Sequence, residues 1–220
     1  MKNIKVIIFD AYGTLFDVNS AAEKCKLKIG EKWKNFSNYW RTTQLEYTWL
    51  RSLMKRHKDF WQVTEDSLDK SMHEYSIDVS MRDELLNLYK VLSTFPEVKE
   101  VLKKLKEKNY KLAILSNGTP SLLNELVKSN NLVNIFNDIF SIEEVGIYKP
   151  ASKVYDIPIK KYKVQKKEVI FLSANTWDVS GGGNYGYNSI WVNRSNNTFD
   201  KLDYKPKYQV KSLNEILDLI

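Results

Sequence analysis

Four short apolar runs constrain the fold of this chain more than any other feature. Val6, Ile7, Ile8 and Phe9 stop at Asp10, and three further runs occupy residues 112–115, 169–172 and 190–192. Each is short, rich in branched residues and apolar at consecutive rather than alternate positions, as expected of a strand buried on both faces of a parallel sheet. A shorter, weaker run is centred on Ile139 and Phe140. Helical patterns lie between the runs. Val98, Val101, Leu102 and Leu105 share one face of a helix that Pro96 is expected to open. Thr119 and Pro120 supply a cap and first turn for residues 122–127, and Leu213, Ile216, Leu217 and Ile220 form a last apolar stripe. Strand and helix alternate, which predicts a doubly wound α/β core built from residues 1–15 and 96–220.

Residues 16–95 follow a different pattern, with no convincing strand and four helical stretches over about 19–29, 34–56, 64–76 and 81–92. They are rich in aromatics, among them Trp33, Phe36, Tyr39, Trp40, Tyr47, Trp49, Phe60 and Trp61. An all-helical insertion placed directly after the first strand is therefore expected. A chain of 220 residues is long enough for a core domain plus a small accessory one.

Composition removes several function classes. Cys25 is the only cysteine, which leaves no intrachain disulfide and no cysteine-rich zinc site; on a helix without a nearby histidine, it reads as a packing residue. The formal net charge of +7 invites a nucleic-acid reading, but the lysines between 99 and 108 alternate with Glu100 and Glu107 and describe a solvated helix face. No nucleic-acid motif is present, and a mild positive field equally attracts a small anion. No stretch approaches the roughly 20 apolar residues needed to cross a bilayer. Residues 1–10 lack the apolar core and cleavage site of a signal peptide, so a cytoplasmic location is expected. His57 and His73 fall in the helical insertion, with nothing to connect either to chemistry.

In an open α/β sheet, ligands bind beyond the carboxyl ends of the strands. Asp10 follows the first strand in Asp10-Ala11-Tyr12-Gly13-Thr14, and Ser116-Asn117-Gly118 follows the second. Gly146-Ile147-Tyr148-Lys149-Pro150 follows the weak run, and Ser173-Ala174-Asn175-Thr176-Trp177-Asp178 follows the strand at Val169. Each has an ordinary structural explanation when taken alone, because aspartate after a strand is a common helix cap and Ser-Asn-Gly a common turn. Four such segments in correct alternation gather two acids, a lysine and several hydroxyl and amide groups at one sheet edge.

That arrangement resembles the haloacid dehalogenase superfamily over essentially the whole chain, with its four motifs at Asp10 to Thr14, Ser116-Asn117, Lys149 and the Asn175/Asp178 segment. The resemblance implies a Rossmann-like parallel-sheet core with an inserted all-helical cap domain over residues 16–95. The superfamily is mostly phosphatases, whose first motif carries a second acid that protonates the leaving alkoxide and whose backbone there helps bind magnesium. Tyr12 stands at that place here. Halide leaves as a stable anion and needs no proton, so the loss is tolerable for dehalogenation and damaging for phosphate esters. Tyr39-Trp40-Arg41-Thr42, Gln44-Leu45-Glu46-Tyr47-Thr48-Trp49 and Phe60-Trp61-Gln62-Val63-Thr64 look like the cap of the L-2-haloacid dehalogenase branch. Tyr155 and the later Ile190-Trp191-Val192-Asn193-Arg194 fit the same branch. Arg41 by itself would read as a solvated helix arginine.

Carried onto these positions, the resemblance implies a two-step hydrolysis of a small anionic (S)-2-haloacid with no metal or other cofactor. Asp10 attacks the carbon bearing halogen with inversion, and water then cleaves the aspartyl ester to release an (R)-2-hydroxy acid. Lys149 keeps Asp10 ionised. Asp178, with Asn175, Ser173 and Thr14, places and activates the water, or Asp178 orients Lys149 instead. The substrate carboxylate meets Ser116 and the N–H groups of Ala11 and Tyr12, aimed by a tight turn at Gly13. Arg41, Asn117 and Trp177 receive halide. Leu45, Phe60 and Tyr12 wall the alkyl side, and Tyr155 supports Lys149. Relatives in this branch are commonly homodimers. Two alternatives stand beside this reading: a magnesium-dependent small-molecule phosphatase, and a non-catalytic binding protein on the same scaffold. Gly181, Gly182 and Gly183 lie where a helix is expected, weaken it by roughly 1 kcal/mol each relative to alanine, and have no assigned role.

Overall fold

The computed structural model describes residues 3–220; Met1 and Lys2, which begin the expected core segment, lie outside the described residues. The first strand, β1 (Val6–Phe9), is followed by the helices α1 (Ser20–Lys24), α2 (Lys26–Ile29), α3 (Trp33–Leu53), α4 (Phe60–Glu74) and α5 (Arg82–Lys90). Strand and helix then alternate through α6 (Val98–Glu107), β2 (Lys111–Ser116), α7 (Pro120–Ser129), β3 (Asp138–Ser141), α8 (Ser152–Tyr162), β4 (Val169–Ser173), α9 (Thr176–Tyr185), β5 (Asn188–Val192) and β6 (Tyr208–Val210). The strands form one six-stranded parallel sheet in the order β3-β2-β1-β4-β5-β6. The chain builds outward from β1 to β3 on one side, then crosses back and builds to β6 on the other. β1 therefore lies at the switch point, where a crevice opens at the carboxyl ends of the strands. Register aligns Phe9 with Ile114 of β2 and Leu172 of β4, so the residues that follow these strands emerge together.

The central strands are buried at every position of β1 and β4, which explains their unbroken apolar sequences. In α6, Val98, Val101, Leu102 and Leu105 are buried, while the intervening lysines carry the net charge outward. Thr119 caps α7 by accepting the Leu122 N–H at 3.3 Å, with Pro120 in the first turn. Cys25 is buried and unpaired, a packing residue between α1 and α2. Among the described residues, no helix is long and apolar enough to cross a membrane.

Several boundaries differ from the sequence expectation. The stretch expected over 19–29 breaks at Cys25 into α1 and α2. α4 begins at Phe60, because the Asp59 carboxylate caps it by accepting the Gln62 N–H at 2.8 Å. Pro96 precedes α6 instead of lying in its first turn, since the Phe95 carbonyl accepts the Val98 N–H and turns the chain before the helix begins. The C-terminal stripe forms a 3-10 helix, Leu213–Asp218, with Leu213 and Ile216 buried. β6 was not anticipated; it is a three-residue edge strand with only Val210 buried, too short to show a period.

The two ends of the 16–95 segment run side by side. Asp17 N–H donates to the Ser93 carbonyl, Phe95 N–H donates to the Leu15 carbonyl, and Phe16 bridges Thr94. The segment thus leaves and rejoins the sheet directly beyond Asp10. Within it, Trp40 Nε1 donates to the Thr64 carbonyl at 3.1 Å, fastening α3 to α4.

Candidate active site

The Asp10 N–H donates to the Leu172 carbonyl at 2.9 Å, carrying the ladder between β1 and β4 one residue past the strand. The chain then turns sharply: Leu15 and Phe16 N–H both donate to the Ala11 carbonyl, and Gly13 takes φ +86°, a conformation that a side chain would disfavour. The N–H groups of Ala11 and Tyr12 donate to no partner among the described residues, which leaves a pair of adjacent amides for an anion.

The two oxygens of the buried Asp10 carboxylate have different surroundings. Oδ2 accepts three hydrogen bonds, from Thr14 Oγ1 at 2.9 Å, Ser173 Oγ at 3.1 Å and Asn175 Nδ2 at 2.8 Å. Oδ1 meets only Lys149 Nζ, at 3.2 Å. The donors are themselves fixed. Thr14 Oγ1 accepts the Ala174 N–H at 2.8 Å, Ser173 Oγ accepts the Asn175 N–H at 3.1 Å, and Asn175 Nδ2 also reaches the Tyr12 carbonyl at 3.1 Å. Two segments distant in sequence, the turn after β1 and the residues after β4, thus converge on one oxygen.

Lys149 is fully buried between two carboxylates. Its Nζ lies 2.8 Å from Asp178 Oδ2 and 5.0 Å from the centre of the Phe171 ring, and its backbone N–H donates to Asn117 Oδ1 at 3.1 Å. Asp178 Oδ1 accepts the Tyr155 hydroxyl at 2.7 Å. Both oxygens of Asp178 are therefore engaged, and among the described residues its carboxylate makes no hydrogen bond to Asp10, Thr14, Ser173 or Asn175. Burial raises the Asp178 pKa to about 6; Lys149 opposes the shift, and the neighbouring Asp10 adds to it. Of the two places open to Asp178 in the sequence, this geometry favours orienting Lys149. Tyr155, expected to support Lys149 and to bind substrate, is buried and donates to Asp178, the partner of Lys149.

Close packing here accounts for the glycine run. A Cβ on Gly181 would overlap the Tyr155 hydroxyl and the Pro150 ring, and one on Gly182 would come within 2.7 Å of Phe171. Glycine lets α9 approach α8 and the sheet closely enough for Asp178 to reach Tyr155 and Lys149. Gly181→Ala is expected to destabilise the protein by about 1–3 kcal/mol despite the better helix propensity of alanine. Denaturant unfolding checks this; a variant as stable as the parent would show that the close approach is dispensable.

The opposite wall comes from the helical segment. The Tyr12 ring stacks on Tyr89 at 5.7 Å and tilts against Phe60 at 5.0 Å, and its buried hydroxyl has no partner among the described residues. Burial pushes both phenols, Tyr12 and Tyr89, above their ordinary range, so both stay protonated. Arg41, half-buried, lies on this side and donates to Gln44 Oε1 at 2.8 Å. Trp177 meets Trp49 of α3 edge-on at 5.5 Å. Ser116 Oγ accepts the Gly118 N–H at 3.1 Å, which leaves its own proton to donate, and the Asn117 amide retains its NH2 group. Leu45 is half-buried on α3.

Residues 4–186 match the sequence profile of the haloacid dehalogenase-like hydrolases. The chain belongs to that family. It is 37% identical, over 99% of its own length and 95% of the relative's, to (S)-2-haloacid dehalogenase 4A of Burkholderia cepacia. It is 38% identical, over its full length and 95% of the relative's, to an (S)-2-haloacid dehalogenase of Pseudomonas sp. (strain YL). It also superposes on the L-2-haloacid dehalogenase of Xanthobacter autotrophicus with chloropropionic acid covalently bound, at TM-score 0.91, 30% identity and 98% coverage of each chain.

This haloacid dehalogenase-like hydrolase also uses residues to which the sequence reading assigned no role. Arg194, just past β5, donates from NH2 to the Thr14 carbonyl at 2.9 Å, pairs with Glu97 Oε1 at 2.5 Å and lies over the Phe95 ring. It braces the Asp10–Thr14 turn from behind. Tyr89 and Gln44 complete the wall behind Arg41 and Tyr12. His57 pairs with Glu143 at 2.9 Å and packs on Tyr148, away from Asp10. No local sequence signal marks these roles, because each depends on a partner more than 30 residues away.

Proposed function

We propose that this hydrolase converts short (S)-2-haloalkanoic acids to (R)-2-hydroxyalkanoic acids through an aspartyl ester on Asp10, without metal. The observation that carries the reading is the unequal treatment of the two Asp10 oxygens. Oδ2 is held by three donors. Oδ1 has one cationic neighbour and a free lone pair, so it is the nucleophile. In the first step Oδ1 bonds to the carbon bearing halogen from the side opposite the halogen, and halide leaves with the bonding pair. Oδ2 then becomes the carbonyl oxygen of the ester. The Thr14, Ser173 and Asn175 donors already point at it and take up the negative charge that develops when water adds to the carbon. The bond from the Asp10 carboxyl carbon to Oδ1 then breaks, Oδ1 leaves on the substrate carbon as the product hydroxyl, the water oxygen takes its place in the restored carboxylate, and one proton is released. The Lys149–Asp178 pair is the titratable unit in reach of that proton.

The remaining roles follow from placement. Ser116 and the free Ala11 and Tyr12 amides hold the substrate carboxylate. Arg41, the Asn117 NH2 and Trp177 receive the halide, and Tyr12, Leu45 and Phe60 keep the alkyl side dry. Residues 16–95 act as a cap over this crevice. Metal independence is supported by two features. Tyr12 stands where a second acid would be, and the Lys149 ammonium supplies, at 3.2 Å from Asp10, positive charge beside the nucleophile. The names of the relatives from Burkholderia cepacia and Pseudomonas support the substrate class and its configuration. Association as a homodimer is part of the same proposal, checked by light scattering of the purified protein.

The test is halide release from (S)- and (R)-2-chloropropanoate with chelator present. Release from the (S) form alone, yielding (R)-lactate, is expected. Release that disappears with chelator, or (S)-lactate as product, would overturn the metal-free or the inverting step respectively.

A further inference from the structure

We propose that Gln44 is a positioning residue that holds the Arg41 guanidinium, uncompensated in charge, where it receives the leaving halide. The inference rests on the function proposed above and adds a residue to it. Gln44 is 1% exposed on α3, and a buried amide is costly unless its polar atoms are bonded. All of them are. Nε2 donates to Thr64 Oγ1 at 2.7 Å and to the Tyr89 hydroxyl at 3.0 Å, while Oε1 accepts from Arg41 Nη1 at 2.8 Å.

The orientation of the amide is locked by its surroundings. Thr64 Oγ1 gives its own proton to the Phe60 carbonyl at 2.7 Å, so it can only accept from Gln44. Turning the amide over would set its NH2 against the Arg41 donors and its oxygen against a hydroxyl with no proton to give. Arg41 lies three residues earlier on the same helix, within reach of the Gln44 carbonyl. The hydrogen bonds from Gln44 thus tie Arg41 on α3 to Thr64 on α4 and Tyr89 on α5, with Tyr89 stacked on Tyr12 beside Asp10.

The residue type matters as much as the geometry. Arg51, Arg82 and Arg194 each pair with a carboxylate. Arg41 pairs with none among the described residues and takes a neutral acceptor instead. A neutral acceptor fixes the guanidinium while leaving its full positive charge for an incoming anion, whereas a glutamate would fix and neutralise it.

The experiment is a double-mutant cycle. Gln44→Met and Gln44→Glu are each made with Arg41 intact and in the Arg41→Ala background, and kcat, KM and inhibition by iodide are measured. With Arg41 intact, both are expected to lower kcat about tenfold with little change in KM. Both should also weaken iodide inhibition, Gln44→Glu the more strongly although it is nearly isosteric and the better tolerated in the fold. In the Arg41→Ala background neither should cost anything further. Equal losses in both backgrounds, with Arg41→Ala itself impaired, would overturn this inference and leave the proposed function standing. Full turnover by Arg41→Ala would remove the halide role of Arg41 and the inference with it. Unchanged iodide inhibition in Gln44→Glu would reduce Gln44 to a packing residue and also overturn the proposal.

Discussion

Asp10→Asn is expected to abolish halide release, with turnover at least about 10⁴-fold below the parent. The substitution is close to isosteric. An amide can keep its carbonyl oxygen among the Thr14, Ser173 and Asn175 donors, where Asp10 Oδ2 now lies. Its NH2 then faces Lys149 in place of Oδ1. That group has no lone pair to attack carbon, and it sets one donor against another. The donor clash and the lost ion pair are expected to cost about 1–3 kcal/mol of stability, so the variant remains folded. Halide release and thermal unfolding, measured on the same preparation, separate the two effects. A folded variant retaining a tenth of the parent turnover would show that Asp10 is not the nucleophile.

Lys149→Met has the second large effect, on both stability and activity. The ammonium lies between Asp10 and Asp178 and is fully buried. Removing it leaves two acids facing each other without a cation, and such a loss costs about 3–5 kcal/mol at neutral pH. The cost depends on pH with a definite sign. Burial and Asp10 already raise the Asp178 pKa to about 6 against the opposition of Lys149, so in the variant it rises further. A carboxyl raised above its unfolded value of about 3.9 destabilises the fold only where the unfolded chain has lost the proton. The variant should therefore be least impaired below about pH 4 and lose stability as pH rises toward its folded pKa. Denaturant midpoints across that range check this, and a penalty independent of pH would contradict it. Turnover should fall by about 10³-fold, because Oδ1 of Asp10 loses the cation that fixes it for attack and faces the uncompensated Asp178 carboxylate instead.

Much of this architecture was legible because it is encoded locally. β1 and β4 are apolar at nearly every position, and β2 and β5 carry unbroken apolar runs at 112–115 and 190–192, which only a strand covered on both faces tolerates. Asp10, Ser116 and Ser173 lie at or just past strand ends, so strand alternation alone was enough to bring them to one edge. What stayed hidden depends on contacts made at a distance. The unequal environments of the two Asp10 oxygens arise from the rotamers of Thr14, Ser173 and Asn175, which no spacing encodes. The glycine run looked like a defect in α9 until Tyr155 and Phe171 were seen to fill the space above it. That the expected support of Lys149 by Tyr155 would run through Asp178 had no sequence signal, because α8 brings the phenol to Asp178 from a distant stretch of chain. Gln44 could not be told from a solvated helix residue, since its burial depends on α4 and α5 packing over α3. β6 escaped notice because an edge strand of three residues, half-covered, has no pattern to read.

The central claim is that water attacks the enzyme's own carboxyl carbon and never the substrate carbon. Its most direct test is a single turnover in water labelled with heavy oxygen, with enzyme in excess over (S)-2-chloropropanoate. Unlabelled (R)-lactate is expected, with the label confined to the peptide that contains Asp10. Heavy oxygen in the lactate and none in that peptide would mean that water displaces halide directly, and that Asp10 acts as a base and not as the nucleophile.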